Sequence, residues 1–214
     1  TGSALGDLRA GRKLAALEGD DTALTITVTG RQWWWHVRNE SAQPSERFIT
    51  ANEIHIPVGQ PVKLRLVSAD VIHSFWVPAL HGKRDLIPGR ENYLWIQADR
   101  AGEFEGQCAE FCGHQHAHMR IRVVAQPPEE FERWRERQRA PARTPATETA
   151  QRGQEVFLRS TCVMCHTIRG TLAGSQAGPD LTHLASRRTL AAGTIPNTRG
   201  HLAGWILDPQ AIKP

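Results

Sequence analysis

The sequence predicts a mainly β domain followed by a small all-α domain, and three observations carry that reading. Residues 22–126 hold short runs of alternating apolar and polar side chains broken by Gly and Pro, the pattern of a β-sandwich or small barrel. Pro127-Pro128 interrupts that pattern, and from Thr149 onward the spacing of apolar residues becomes helical. All four cysteines fall in two tight clusters, Cys108/Cys112 and Cys162/Cys165, one in each half. A length of 214 residues is comfortable for two compact domains.

In chain order, residues 1–20 are mixed and read as irregular or weakly helical. Leu24-Thr-Ile26-Thr-Val28 then alternates with period two, as a half-buried strand does. Trp33-Trp34-Trp35-His-Val37 continues as strand, and alternation sends Trp34 to the face opposite Trp33 and Trp35. A loop follows at Gln43-Pro44-Ser45. Further strands are expected at Glu53–Val58, Pro61–Val67, Tyr93–Gln97 and His118–Val124. The segment 127–148 combines a charged helix, Glu129–Ala140, with a semi-stiff Pro-rich linker, Pro141–Thr147. Within that helix Glu129/Arg133 and Glu136/Arg139 stand at pairing distance. Residues 149–214 form the last domain, with Gln154–Leu158 as its amphipathic start. There is no internal repeat.

Charge is uneven. Residues 1–126 hold 14 basic and 14 acidic side chains, residues 127–150 five of each, and residues 151–214 seven basic against three acidic. The whole surplus of +4 therefore lies in the last third, as a solvated excess or as a face that steers toward an acidic partner. Without a dense basic stripe, a nucleic-acid partner is excluded. No stretch reaches the roughly 18–20 apolar residues that span a bilayer, and none of these residues is expected to be a signal peptide. Four cysteines in an exported protein ordinarily suggest disulfides, but each cluster has a better use, so none is predicted.

The run Cys108-Ala-Glu110-Phe-Cys112-Gly-His-Gln-His116-Ala-His-Met119 packs thiols, imidazoles and a thioether into one short segment. That mixture is what copper selects, whereas structural zinc sites close with four Cys/His ligands and no Met. Two cysteines four apart, then His and Met, suit two coppers bridged by both thiolates. Such a centre needs a second imidazole, which His73 supplies from what reads as a strand end.

With His73 and the Gln32-Trp33-Trp34-Trp35 stretch, this run resembles subunit II of haem-copper cytochrome c oxidase, over about residues 22–125. The resemblance implies a cupredoxin-like Greek-key barrel and a dinuclear copper A centre. Its implied ligands are His73, Cys108, the Glu110 carbonyl, Cys112, His116 and Met119. His114 and His118 flank the run as rivals to His116; His36, His55 and His81 read as structural or solvated. The resemblance also implies that Trp33 is the exposed place where electrons arrive, and that Asp70 is an acidic docking residue unless it is an ordinary loop carboxylate. The Glu110 carboxylate is implied to reach magnesium at the boundary with subunit I, where Asp85 also lies; otherwise it is a solvated loop glutamate. The family starts with a membrane hairpin, so residues 1–21 are expected to be the exit from one, anchoring the domains on the periplasmic or outer side of a bacterial cell membrane.

Cys162-Val-Met-Cys165-His166 is the haem c attachment motif, two thioether-forming thiols and the proximal iron ligand. A redox or zinc C-x-x-C is the plainer alternative. Gly153, Phe157 and Gly178-Pro179-Asp180-Leu181 resemble the class I cytochrome c pattern, which implies that the Pro179 carbonyl orients His166. The chain's two methionines are Met119, assigned to copper, and Met164, inside the attachment loop. The distal ligand is therefore expected to be a Met beyond Pro214, or else His201 or His183.

Together these readings imply the electron-transfer subunit of a proton-pumping terminal oxidase with a fused cytochrome c. Electrons would come from an external cytochrome or a quinol-oxidising complex, pass through haem c to copper A, and leave to subunit I and its associated oxidase subunits. These domains alone would reduce no oxygen. The alternatives are the copper A subunit of a nitric oxide reductase and a copper-delivery protein.

Overall fold

The computed structural model describes residues 23–213, so the expectations for residues 1–21 and for the carboxyl end lie outside it. The β lobe contains β1 (Thr25–Arg31), β2 (Trp34–Asn39), β3 (Phe48–Ala51), β4 (Glu53–Pro57), β5 (Val62–Ser68), β6 (His73–Trp76), β7 (Arg84–Leu86), β8 (Asn92–Ile96), β9 (Gly102–Cys108) and β10 (Arg120–Gln126). These build two five-stranded sheets, ordered β3-β2-β1-β5-β8 and β4-β10-β9-β6-β7. The β1–β5 and β4–β10 pairs are parallel, and the other ladders are antiparallel.

Alternation explains the packing. Ile26 and Val28 of β1, Trp35 and Val37 of β2, and Leu64 and Leu66 of β5 point inward from one sheet. They meet Ile54, Ile56, Phe75, Leu86, Ile121 and Val123 from the other, all buried. In the tryptophan run, Trp35 is fully buried, Trp33 packs partly on the core and Trp34 takes the other face. β3, β7 and β9 were not foreseen; β9 reads Gly-Glu-Phe-Glu-Gly-Gln-Cys, too rich in Gly and acid to look like a strand. The last strand starts at Arg120 rather than His118, because His116–His118 forms a 3-10 turn.

α1 (Pro128–Arg139) begins with Pro at its first position. Its charged composition conceals an apolar stripe, Phe131 and Trp134, buried against Phe48 and His55. Trp134 stacks on the His55 ring at 4.0 Å, and His55 bonds Gln126 and Glu53 through its two nitrogens, so this histidine is structural. Glu129 and Arg133 lie 4.0 Å apart, but Arg139 turns to Glu46 rather than to Glu136.

The second lobe contains α2 (Glu148–Arg159), β11 (Thr189–Leu190), β12 (Ile195–Pro196), α3 (Arg199–Leu207) and α4 (Pro209–Ile212). Thr147 caps α2, and Thr198 caps α3, by accepting main-chain N–H bonds. Its helices are separated by a long irregular segment and a two-residue hairpin, so the lobe is less helical than its periodicity implied. The linker is not a free tether: Ala142 N–H bonds Arg169 O, and the Arg169 guanidinium reaches the carbonyls of Gln138 and Arg139. The two lobes also touch directly, through Arg188 on Glu103, Arg188 N–H on the buried Glu53 carboxylate, and Arg120 N–H on Ala192 O.

Truncating Trp134→Ala should destabilise the β lobe by about 3–5 kcal/mol, the usual cost of a buried aromatic. Urea unfolding of the purified chain measures it, and an unchanged midpoint would mean that α1 is not part of the fold's core.

Candidate metal and haem sites

The β6–β9 ladder sets the first site. Phe75 pairs with Cys108, which brings His73, at the start of β6, beside the end of β9. After Cys108 the chain leaves the sheet, turns through His116–His118 and returns, so that Cys108 N–H bonds Met119 O at 2.9 Å. Ala109 N–H bonds Ser74 O at 2.9 Å. The loop is thus closed on itself and stitched to β6.

Inside it, the Cys108 and Cys112 sulfurs lie 3.8 Å apart, both buried, nearly twice the roughly 2.0 Å of a disulfide. His73 Nδ1 is 3.9 Å from Cys108 Sγ, and His116 Nδ1 is 3.5 Å from Cys112 Sγ. Met119 Sδ is 3.9 Å from Cys112 Sγ, and the Glu110 carbonyl 3.2 Å from Cys108 Sγ. Among the described residues, the donor atoms of His73, Cys108 and Cys112 all fall within 4.8 Å of one another. His118 Nδ1 pairs instead with Gln115 Oε1, at 2.9 Å.

The electrostatics of this pair suit a bound cation. Burial pushes the Cys108 thiol up, but hydrogen bonding from His73 and the neighbouring backbone outweighs it and brings the thiol down to about 7. Burial and the adjacent Cys108 charge push Cys112 up to about 12. Two buried thiolates this close ionise together only when a metal compensates them, and two sulfurs, two imidazoles and a thioether are a soft donor set.

A surrounding layer fixes these donors. Asp70 accepts from Gln32 N–H and from Val71 N–H, both at 2.7 Å, and pairs with His73 Nε2 at 2.7 Å. This leaves His73 Nδ1 facing the sulfurs. Burial raises the Asp70 carboxyl, but those hydrogen bonds prevail and hold it below the usual range. Gln32 Nε2 and Trp33 Nε1 both donate to Cys112 O, at 2.8 and 3.0 Å. Glycines make the room: a Cβ on Gly30 would sit 2.6 Å from His73 Cδ2, and Gly113 has a φ of 114° with Trp33 packed against it. Gln32, Gly30 and Gly113 carried no assigned role in the sequence reading. Trp33, taken there as exposed, is half-buried. Glu110 is half-buried too, and Asp85 lies on β7, where its carbonyl accepts from Asn92.

In the second lobe, Cys162 lies in a 3-10 turn, Thr161–Met164, that ends against Cys165, and both thiols are exposed. His166 Nδ1 is 2.8 Å from Pro179 O. A carbonyl only accepts, so Nδ1 carries the proton and Nε2 keeps its lone pair for a metal. Gly178 is required here, since a Cβ would stand 2.8 Å from the His166 ring. Neither α2 nor α3 buries a side chain, and Val156, Met164 and Ile206 are exposed. That uncovered apolar surface beside two thiols and an oriented imidazole fits a covalently held porphyrin. Of the candidate distal histidines, His183 Nε2 is bonded to Ala140 O and His201 Nδ1 to Thr198 Oγ1.

The family described as cytochrome C oxidase subunit II, periplasmic domain, matches residues 39–126, and the cytochrome c family matches residues 150–214. Cytochrome c oxidase subunit 2 of Alkalihalophilus pseudofirmus is 40% identical over 196 residues, which cover 92% of this chain and 55% of that protein. The Bacillus subtilis subunit 2 is 32% identical, over 91% of this chain and 56% of its own length. The chain thus spans little more than half the length of these relatives. The crystal structure of the periplasmic domain of subunit II of cytochrome oxidase from Bradyrhizobium japonicum superposes with a TM-score of 0.50 at 35% identity, covering 54% of this chain and 92% of that one.

Gly30→Ala should push the His73 ring aside and weaken copper binding by roughly 10–100-fold, the scale of disturbed ligand orientation. A chelator competition with circular dichroism as the folding control measures this; unaltered affinity would remove His73 from the site.

Proposed function

The chain belongs to the cytochrome c oxidase subunit II family, and from that premise we propose that it is an electron-transfer subunit of a haem-copper terminal oxidase. The observation that carries this is the cluster of six donor atoms, in which four surround two cysteine sulfurs 3.8 Å apart. His73, Cys108, the Glu110 carbonyl, Cys112, His116 and Met119 would hold a dinuclear copper A, and Cys162, Cys165 and His166 would hold haem c, with Pro179 orienting the imidazole. When bound, these groups supply one-electron oxidation and reduction. The protein's part is to change little between the two states. The sandwich core and the Asp70, Gln32 and Trp33 hydrogen bonds hold the donors in one arrangement, which keeps rearrangement during electron transfer small.

In this reading residues 22–126 are the copper domain, 127–148 the connection and 149–214 the haem domain, on the outer side of a bacterial membrane. The Trp33 face receives electrons, the Glu110 carboxylate contributes to a magnesium site, and the copper domain passes electrons to subunit I for oxygen reduction and proton pumping. An external cytochrome or quinol-oxidising complex donates to the haem domain.

Copper and haem analysis with EPR tests the proposal. Two coppers and one haem per chain are expected, with a multiline mixed-valence copper signal. Cys112→Ser should abolish that signal and leave the haem attached. A single copper, or zinc, in the β lobe would contradict the proposal.

A further inference from the structure

The last described residue of the helical lobe ends against the backbone that flanks the β lobe's candidate copper site. α4 delivers Lys213 so that its Nζ lies 2.5 Å from Trp33 O and 2.9 Å from His118 O. These two carbonyls belong to different walls of that site. Trp33 is in the β1–β2 turn, and its ring N–H holds Cys112 O; His118 directly precedes Met119. One ammonium therefore joins the helical lobe, the β1–β2 turn and the ligand loop. Burial pulls the Lys213 amine down to about 8, so it remains mostly charged at neutral pH and able to donate to both carbonyls.

The remaining inter-lobe contacts lie elsewhere. Arg188 bonds Glu103 on β9 and Glu53 on β4, and Arg120 bonds the β11–β12 turn. Those contacts engage the lobe's hairpin side. Among the described residues, Lys213 is the one whose hydrogen bonds reach the β lobe from the α3–α4 end. A charged hydrogen bond is also strongly geometry-dependent, which suits a device that sets orientation rather than proximity alone.

We propose that Lys213 is a latch that seats this chain's own haem lobe on the Trp33 face of the copper lobe. It is a positioning residue: it touches neither the copper donors nor the haem-attaching thiols, and acts through the backbone of Trp33 and His118. The resident occupant of the Trp33 face is then the tethered lobe, and a soluble donor meets the haem lobe first. This inference rests on the functional reading above only for what the latch serves. The latch itself rests on the contacts.

The test compares wild type, Lys213→Met and Lys213→Arg in the full chain, with two readouts. In the metal-free protein, amide hydrogen exchange over residues 31–35 and 116–120 should speed up in Lys213→Met, with partial rescue in Lys213→Arg. In the copper- and haem-loaded protein, one electron injected into the haem lobe by flash photoreduction moves to the copper lobe with no bond made or broken. Lys213→Met should slow this transfer by roughly tenfold or more, as lost orientation does, while both absorption spectra and potentials stay unchanged. Unchanged exchange at both segments, or an unchanged transfer rate with normal spectra, would overturn the latch. Absence of the mixed-valence copper signal in wild type would instead defeat the functional reading, and the exchange experiment would still decide the latch.

Discussion

Two buried sulfurs 3.8 Å apart are the constraint on which the rest of this structure depends. Too far apart to be a disulfide and too close to ionise independently, they carry two negative charges together only as a compensated pair. The split between Cys108, eased down to about 7, and Cys112, driven up to about 12, expresses that conflict. A pair of soft cations held by these sulfurs would remove it by compensating both thiolate charges. Much of the surrounding architecture brings the two sulfurs together and keeps them there.

That architecture works at three depths. The β6–β9 register delivers Cys108 opposite Phe75, two residues from His73. The closing hydrogen bond from Cys108 N–H to Met119 O turns the intervening loop into a ring, so the donors arrive together. Outside the ring, Asp70 ties His73 to the β1–β2 turn, and that turn in turn clasps Cys112 O through Gln32 and Trp33. The acidic side chain that resembles a docking group is therefore engaged in orienting a ligand. The same turn carries one of the contacts with the other lobe, from Lys213, which makes the site's rigidity and the placement of the lobes parts of one hydrogen-bond network.

The legibility of these features in sequence follows the range of the physics. Period-two strands such as β1, β2 and β5 announced themselves, because burial on one face is a local pattern. So did the copper and haem motifs, since their chemistry demands several rare side chains within a few residues. β9 was hidden because its outward residues are Glu and Gln and two positions are Gly, one of which, Gly106, leaves no space for a Cβ beside Trp76 O. The apolar stripe of α1 was masked by nine polar or charged neighbours in a helix of twelve. Gly30 could not be read as a site residue, for its role is the space it leaves to a ring 43 positions away. Lys213 was equally silent: an isolated lysine near a Pro carries no signal until the fold sets it against two carbonyls from another lobe.

The account therefore turns on how many metals the sulfur pair holds and how it holds them. X-ray absorption at the copper edge of the reconstituted protein addresses this most directly. A copper neighbour in the first shells, with two bridging sulfurs and one imidazole nitrogen per metal, is the predicted result. A spectrum fitted by one isolated copper, or a centre that takes up only zinc, would contradict it.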